Sequence, residues 1–248
     1  MITRYVQALG REVQLRPDTT DDQVFHETFV KQFHVPPEEI RPATVLDLGC
    51  NIGLTVAHFE VLWPNAEIIG VDLDSENCEV ARRNCRRARI LNLAVSATSG
   101  GQTYSGDEAW GFRLDPLGDR AVEARTLDEL TDLLGGRADF VKMDIEGAEW
   151  EVVKAPGEWP ERIGSLLIEI HGTEGRRQAG IDEMMGYLRN KGFTCRKHEA
   201  HWSAVWAKRE RRKPARRRSP WLLWSSRGTP VLSSPGSEHS KGSLGARA

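Results

Sequence analysis

The stretch VLDLGCNIGLT, residues 45–55, reads as a short buried strand that carries an acid and passes through a G-x-x-x-G turn into a helix. Gly49 and Gly53 let the backbone turn tightly and approach a ligand with no Cβ in the way. The helix start offers free N–H groups. A dinucleotide-binding loop presents G-x-G-x-x-G to a pyrophosphate. This turn lacks the middle glycine and adds the carboxylate of Asp47. It therefore suits a ligand with an ammonium and a carboxylate, such as the methionine end of S-adenosylmethionine. A nicotinamide-dependent oxidoreductase is the rival enzyme class, and a ligand-free strand-to-helix turn is the bland alternative.

Moving outward, EIIGVDLD (67–74) is the next strand. An acid at the end of a second strand is placed to accept both ribose hydroxyls. Asp72 is expected there, with Leu73 beside it, while Asp74 assists the following helix, for which Ser75 is the expected N-cap. ILNLAVS (90–96) reads as a third strand whose Asn92 and Ala94 lie next to an adenine. Residues 99–125 are Gly-rich and short-stranded, and predict a hairpin-like insertion in which Trp110, Phe112 and Arg113 serve as a lid or as plain loop anchors. Thr126 and Glu129 form a T-x-x-E capping box. Further strands are expected over DFVKMD (139–144) and SLLIEIHG (165–172), and a closing antiparallel hairpin over FTCRKHE and HWSAVWAKR. Upstream, DDQVFHETFVKQF puts Val24, Phe25, Thr28, Phe29 and Phe33 near one helical face. The alternation predicts an α/β, Rossmann-like three-layer sandwich: a mostly parallel seven-stranded sheet with an antiparallel last strand. Ligands bind such sheets outside the strand C-terminal ends, where every motif named here falls.

Where the fourth strand ends, Asp144, Glu146 and Glu149 crowd together, with Lys142 just before them. Asp144 is expected to reach the reaction cleft. Glu149 follows Gly147 in a first helical turn, where a carboxylate complements the helix dipole, so a structural role is expected for it. Lys142 is expected to pair with a neighbouring acid. The next strand ends in Glu169 and His171. Asp144, Glu169 and His171 are thus candidate catalytic residues, with His171, near a neutral pKa, as the proton acceptor. Asp144, Glu146 and Glu169 are alternatively candidate ligands for Mg2+. A core histidine that only forms hydrogen bonds is the bland alternative for His171.

Taken together, VLDLGCNIG, GVDLD, RTLDEL, DFVKMDIEGAEWEVVKA and LLIEIHG resemble the FkbM-type methyltransferases, a class I, S-adenosylmethionine-dependent family, over about residues 18–207. The resemblance implies O-methylation of a hydroxyl on a small molecule, sugar or polyketide. It implies that Asp47, Gly49, Asn51, Gly53 and Asp72 belong to the cofactor pattern, with Cys50 standing where the family more often has alanine. A small-molecule or glycan acceptor follows from it. A non-catalytic cofactor-binding scaffold in a biosynthetic complex is the second rival.

The 248 residues, 39% of them hydrophobic, suit one α/β domain with a tail. We divide the chain into a helical lead-in segment (1–43), a methyltransferase domain (44–208) and a disordered tail (209–248) rich in basic residues, Pro, Ser and Gly. From Lys208 onward there are 11 Lys/Arg against 2 Asp/Glu, and before it 23 against 34. An acidic body argues against a nucleic-acid partner. Within the tail, RRRSPWLLW (216–224) is a candidate weak contact for an anionic membrane or an acidic partner. The four cysteines show no metal-ligand spacing, the first residues show no signal-peptide apolar run, and no stretch is long enough to span a membrane. A cytoplasmic protein with reduced thiols is expected.

Overall fold

The structure, a computed structural model, describes residues 1–106, 111–171, 177–199 and 201–210. The tail expected over 209–248 lies outside these residues except for Arg209, which ends the last strand, and Glu210. Trp110 also lies outside them.

The lead-in segment is not helical throughout. Its first residues form an antiparallel hairpin, β1 (Ile2–Val6) and β2 (Arg11–Leu15). Gly10 makes the reversal possible, in the left-handed region at φ +62°. Val13 and Leu15 alternate inward and pack with Ile52, Leu54 and Val80, burial that a helix over these residues could not provide. The helical face begins only at α1 (Asp21–His26), which runs on as a π-helical turn over Glu27–Lys31. Phe25 and Phe29 pack on the hairpin cluster.

Strands and helices then alternate: β3 (Thr44–Leu48), α2 (Leu54–Leu62), β4 (Glu67–Asp72), α3 (Ser75–Asn84) and β5 (Arg89–Asn92). The third strand of the sequence reading is broken at Leu93. There the Leu93 N–H donates to the Asp72 carbonyl, and Asn92 Nδ2 donates to the carbonyls of Asp72 and Leu73, so the chain leaves the sheet. It enters a separate four-stranded sheet made of β6 (Ala94–Val95), β7 (Gly100–Ser105), β8 (Arg113–Leu114) and β9 (Arg120–Arg125), in the order β6-β9-β7-β8. The insertion is therefore a small sheet rather than one hairpin. The rest is α4 (Leu127–Asp132), β10 (Ala138–Met143), α5 (Glu149–Lys154), α6 (Trp159–Arg162), β11 (Ile163–Glu169), α7 (Arg177–Asn190), β12 (Phe193–Lys197) and β13 (Ala204–Arg209). Thr126 and Glu129 close the capping box on α4. On α3 the N-cap is Asp74 rather than Ser75: its carboxylate accepts from the Asn77 N–H at 2.9 Å, a stronger acceptor one residue earlier.

The main sheet has the order β12-β13-β11-β10-β3-β4-β5, and only β13, the last strand of the chain, runs against the others. Both faces are covered, as the sequence pattern requires. Leu46, Ile69, Val141, Leu166 and Val205 point to one core with α4, α5 and α7. Their chain neighbours Val45, Ile68, Phe140, Leu167 and Trp206 point to the other, with Val56 and Phe59 of α2 and Ala81 of α3. A strand buried on both faces reads as a continuous apolar run for this reason. Among the described residues, no helix is long and apolar enough to cross a membrane.

Candidate active site

The C-terminal ends of β3, β4, β10 and β11 open into one cavity of about 640 Å³, a size suited to a small ligand. The turn after β3 comes close to the end of β10. Gly49 has φ +79°, and a Cβ added to it would lie 1.7 Å from the Asp144 carbonyl oxygen. Only glycine fits there. The N–H groups of Gly49 and Cys50 both donate to the Val71 carbonyl, so the turn is bonded to β4 as well.

The residues expected to hold a cofactor divide into two sets. Gly49, Cys50, Asn51, Asp72, Leu73 and Ala94 line the cavity. Asp47, Gly53 and Asn92 do not line it. Asp47 is fully buried, accepts from Thr55 Oγ1 and pairs with Lys142 Nζ at 3.4 Å. It is not among the residues that line the cavity. Asp72 accepts from the Asn51 N–H (2.8 Å), the Asp74 N–H (3.0 Å) and Asn77 Nδ2 (3.2 Å). Burial pushes its carboxyl up to about 6 against the pull of these bonds. Asp74 also accepts from Tyr104 and Arg120, which ties the small sheet to the cavity rim. Phe112, under the Arg120 guanidinium at 4.7 Å, lines the cavity, and Arg113 is exposed on β8.

At the other side, parallel pairing of β10 with β11 brings Asp144, Glu169 and His171 together. His171 is the hub. Its Nδ1 lies 2.8 Å from Glu149 Oε1, and its Nε2 lies 3.4 Å from Glu146, 3.6 Å from Asp144 and 3.9 Å from Glu169. The three acids after β10 therefore form one cluster, through a histidine two residues past the end of β11. Glu149 is more than a helix-end charge. It is fully buried, and its Oε1 also accepts from the N–H groups of Ile145 and Gly147, which fixes the turn and the imidazole together. Glu146 sits in this turn at φ +55°, a conformation disfavoured for a residue with a Cβ.

These neighbours overturn the expectation of a near-neutral histidine. Burial works to lower His171, but the Glu149 bond and the charges of Asp144, Glu149 and Glu146 push it up to about 10. Burial and then Asp144 push Glu146 and Glu169 up, each to about 7. Burial opposes ionisation of Asp144, but Lys142 and His171 hold it below its ordinary value. Lys142 Nζ donates to Asp144 Oδ2 at 3.3 Å and to the Gly49 carbonyl at 3.4 Å, and so ties the glycine turn to the acid cluster. Further residues around the site carried no functional signal in the sequence. Ser203 donates to Glu169 at 3.0 Å, and His201 lies 3.6 Å from the same oxygen. Both are there because β13 pairs antiparallel with β11, setting Ala204 opposite Glu169. Phe33 meets the His201 ring edge-on at 4.3 Å, and His34 lies beyond it in the wall.

Among the described residues, the set able to hold a metal is Asp144, Glu169 and His171, each offering one atom within 4.8 Å of the others. His171 takes the place expected for Glu146. One nitrogen among three donors suits a borderline metal better than Mg2+, which prefers oxygen. The Lys142 ammonium already compensates Asp144.

The methyltransferase FkbM domain matches residues 47–195, more than half of the chain. Methyltransferase sdnD of Sordaria araneosa is 24% identical over 203 residues, which span 64% of this chain and 76% of that protein. An uncharacterized protein of Rickettsia prowazekii (strain Madrid E) is 31% identical over 72 residues, so that the match spans only 29% of either protein. Among solved structures, precorrin-6y C5,15-methyltransferase from Geobacter metallireducens GS-15 is similar with a TM-score of 0.46 at 14% identity, covering 83% of this chain and 100% of that one.

Proposed function

We propose that this chain, which belongs to the methyltransferase FkbM family, transfers a methyl group from S-adenosylmethionine to a hydroxyl oxygen of a small-molecule or glycan acceptor. The observation that carries the reading is the sharing of one cavity. The glycine turn with Asp72 lines one side, and the acids around His171 line the other. S-adenosylmethionine, when bound, supplies an electrophilic methyl group on a sulfonium.

The chain's own residues do the rest. Gly49, Cys50 and Asn51 offer a close backbone approach. Asp72 is the acceptor for ribose hydroxyls, and Leu73 and Ala94 are apolar neighbours for the base. Asp144, kept ionised by Lys142, orients the acceptor hydroxyl by hydrogen bonding. As the acceptor oxygen forms its new bond, its proton passes to Glu169, whose carboxyl lies near 7 and exchanges protons at neutral pH. His171, already protonated at that pH, acts as a fixed positive charge that keeps the carboxylates together.

The test is transfer of labelled methyl from S-adenosylmethionine across a panel of hydroxylated acceptors, with the new bond located by NMR. Calorimetry on Asp72→Ala tests the methyl donor. Unchanged affinity for S-adenosylhomocysteine in that variant would sink the assignment of Asp72, and stabilisation by NAD instead of S-adenosylhomocysteine would favour the oxidoreductase.

A further inference from the structure

Of the described residues that line the cavity, His34 is the one with a buried polar side-chain atom lacking a hydrogen-bond partner. The residue is 3% exposed, and the orphan atom is Nδ1. Buried polar groups are almost always satisfied, so an orphan on a residue that lines a ligand cavity asks for a partner. The other ring nitrogen, Nε2, lies 2.9 Å from Nδ1 of His58. A single hydrogen occupies that contact. If His58 donates it, the hydrogen of neutral His34 sits on Nδ1.

His58 lies on α2, four residues after Leu54 and so on the same helical face. Helix side chains lean toward the N-terminus. The His58 ring, and the His34 ring bonded to it, therefore stand beside the first turn of α2. The N-cap of α2 is Gly53, and no side chain caps that turn. Leu54 and Thr55 of the same turn line the cavity. Uncapped N–H groups at the start of a nine-residue helix attract an anion. Asp47, which the sequence offers to the amino-acid end of a methyl donor, is turned away and bonded to Thr55 and Lys142. Burial holds His34 well below its ordinary value, so the ring is neutral, and with His58 donating the shared hydrogen it offers an N–H at Nδ1.

We propose that His34 Nδ1 and the first turn of α2 form the subsite for the α-carboxylate of the methyl donor, with His58 as the residue that sets the tautomer. The inference rests on the methyl-donor reading above and adds to it the residue that reads the amino-acid end. The test compares two ligands on the full chain by calorimetry: S-adenosylhomocysteine, and 5′-methylthioadenosine, which has no amino-acid end. His34→Phe should weaken S-adenosylhomocysteine about tenfold or more and leave 5′-methylthioadenosine unchanged. His34→Asn, whose amide can place an N–H where Nδ1 stands, should keep most of the affinity. In the unmutated protein, S-adenosylhomocysteine should shift the His34 Nδ1 resonance in nitrogen NMR and 5′-methylthioadenosine should not, a reading that needs no variant to fold. Equal loss for both ligands, or an unmoved resonance, overturns the subsite. If the unmutated protein binds neither ligand, the methyl-donor reading itself fails.

Discussion

Asp72, at the end of β4, accepts three hydrogen bonds from the chain around it, and Asp74, two residues on, binds Asn77, Tyr104 and Arg120. Across the same cavity, Glu146 and Glu169 sit among like charges, with a single imidazolium between them and Asp144. Acids at the glycine-turn end are parts of a rigid frame held by hydrogen bonds, with Asp72 raised by burial to about 6, whereas Glu146 and Glu169 at the β10–β11 end are crowded by Asp144 and pushed further, to about 7. The comparison teaches that satisfied carboxylates shape a binding site, whereas crowded ones store the proton affinity that chemistry needs.

The largest effect should come from the point where the two ends touch. Gly49→Ala drives a Cβ into the Asp144 carbonyl, which β10 cannot move without losing its bond to Leu48. Urea denaturation should show a loss of more than about 3 kcal/mol, and native stability in that variant would break the idea of a rigid frame.

Next comes Glu169→Gln. Turnover should fall by about 10²–10⁴-fold, with affinity for S-adenosylhomocysteine unchanged. Because the folded-state pKa of Glu169 lies above its ordinary 4.5, at about 7, its contribution to stability is present at low pH and is lost as pH rises through 7. The variant should therefore melt at a higher temperature than the unmutated protein at pH 8, but not at pH 4. A lower melting temperature at pH 8 would mean that the crowding is fully compensated.

A third test sharpens the same contrast through pH alone. Turnover should rise with pH up to about 7, as Glu169 ionises, and then level off. A profile controlled by a group titrating near 10 would return the base role to His171.

The smallest effect is expected from Glu149→Gln, read by NMR titration of His171. Loss of the 2.8 Å bond to an anion should move the imidazole down from about 10 toward its ordinary 6.5. The stability His171 contributes is complete below 6.5 and is lost as pH rises toward 10, so the variant should show a shallower loss over that window. An unmoved titration would assign the shift to Asp144 and Glu146 instead.

Much of this was legible in residue order. The sheet, its antiparallel last strand, the capping box at Thr126, the glycine turn and the delivery of Asp144 all follow from local periodicity and turn chemistry. The β-hairpin at residues 2–15 was missed because its short alternation takes its meaning from Ile52, Leu54 and Val80, far along the chain. The broken strand at Leu93 was missed because the bonds that turn it come from Asp72 and Leu73. His34 and His201, which line the cavity, and Ser203, which bonds Glu169, left no motif, since each is placed only by packing or cross-strand register.

The sequence by itself determined the fold class, the family and the strand ends where ligands meet the sheet, because those depend on patterns within a few residues of one another. Only the tertiary structure decided what the charged groups do. It turned Asp47 inward and joined Glu149 to His171. It made that histidine a lasting cation and left Glu146 and Glu169 near neutrality. A pKa is set by burial and by charges within a few ångströms, and here those charges come from β10, β11 and the turn before α5, which residue order alone does not bring together.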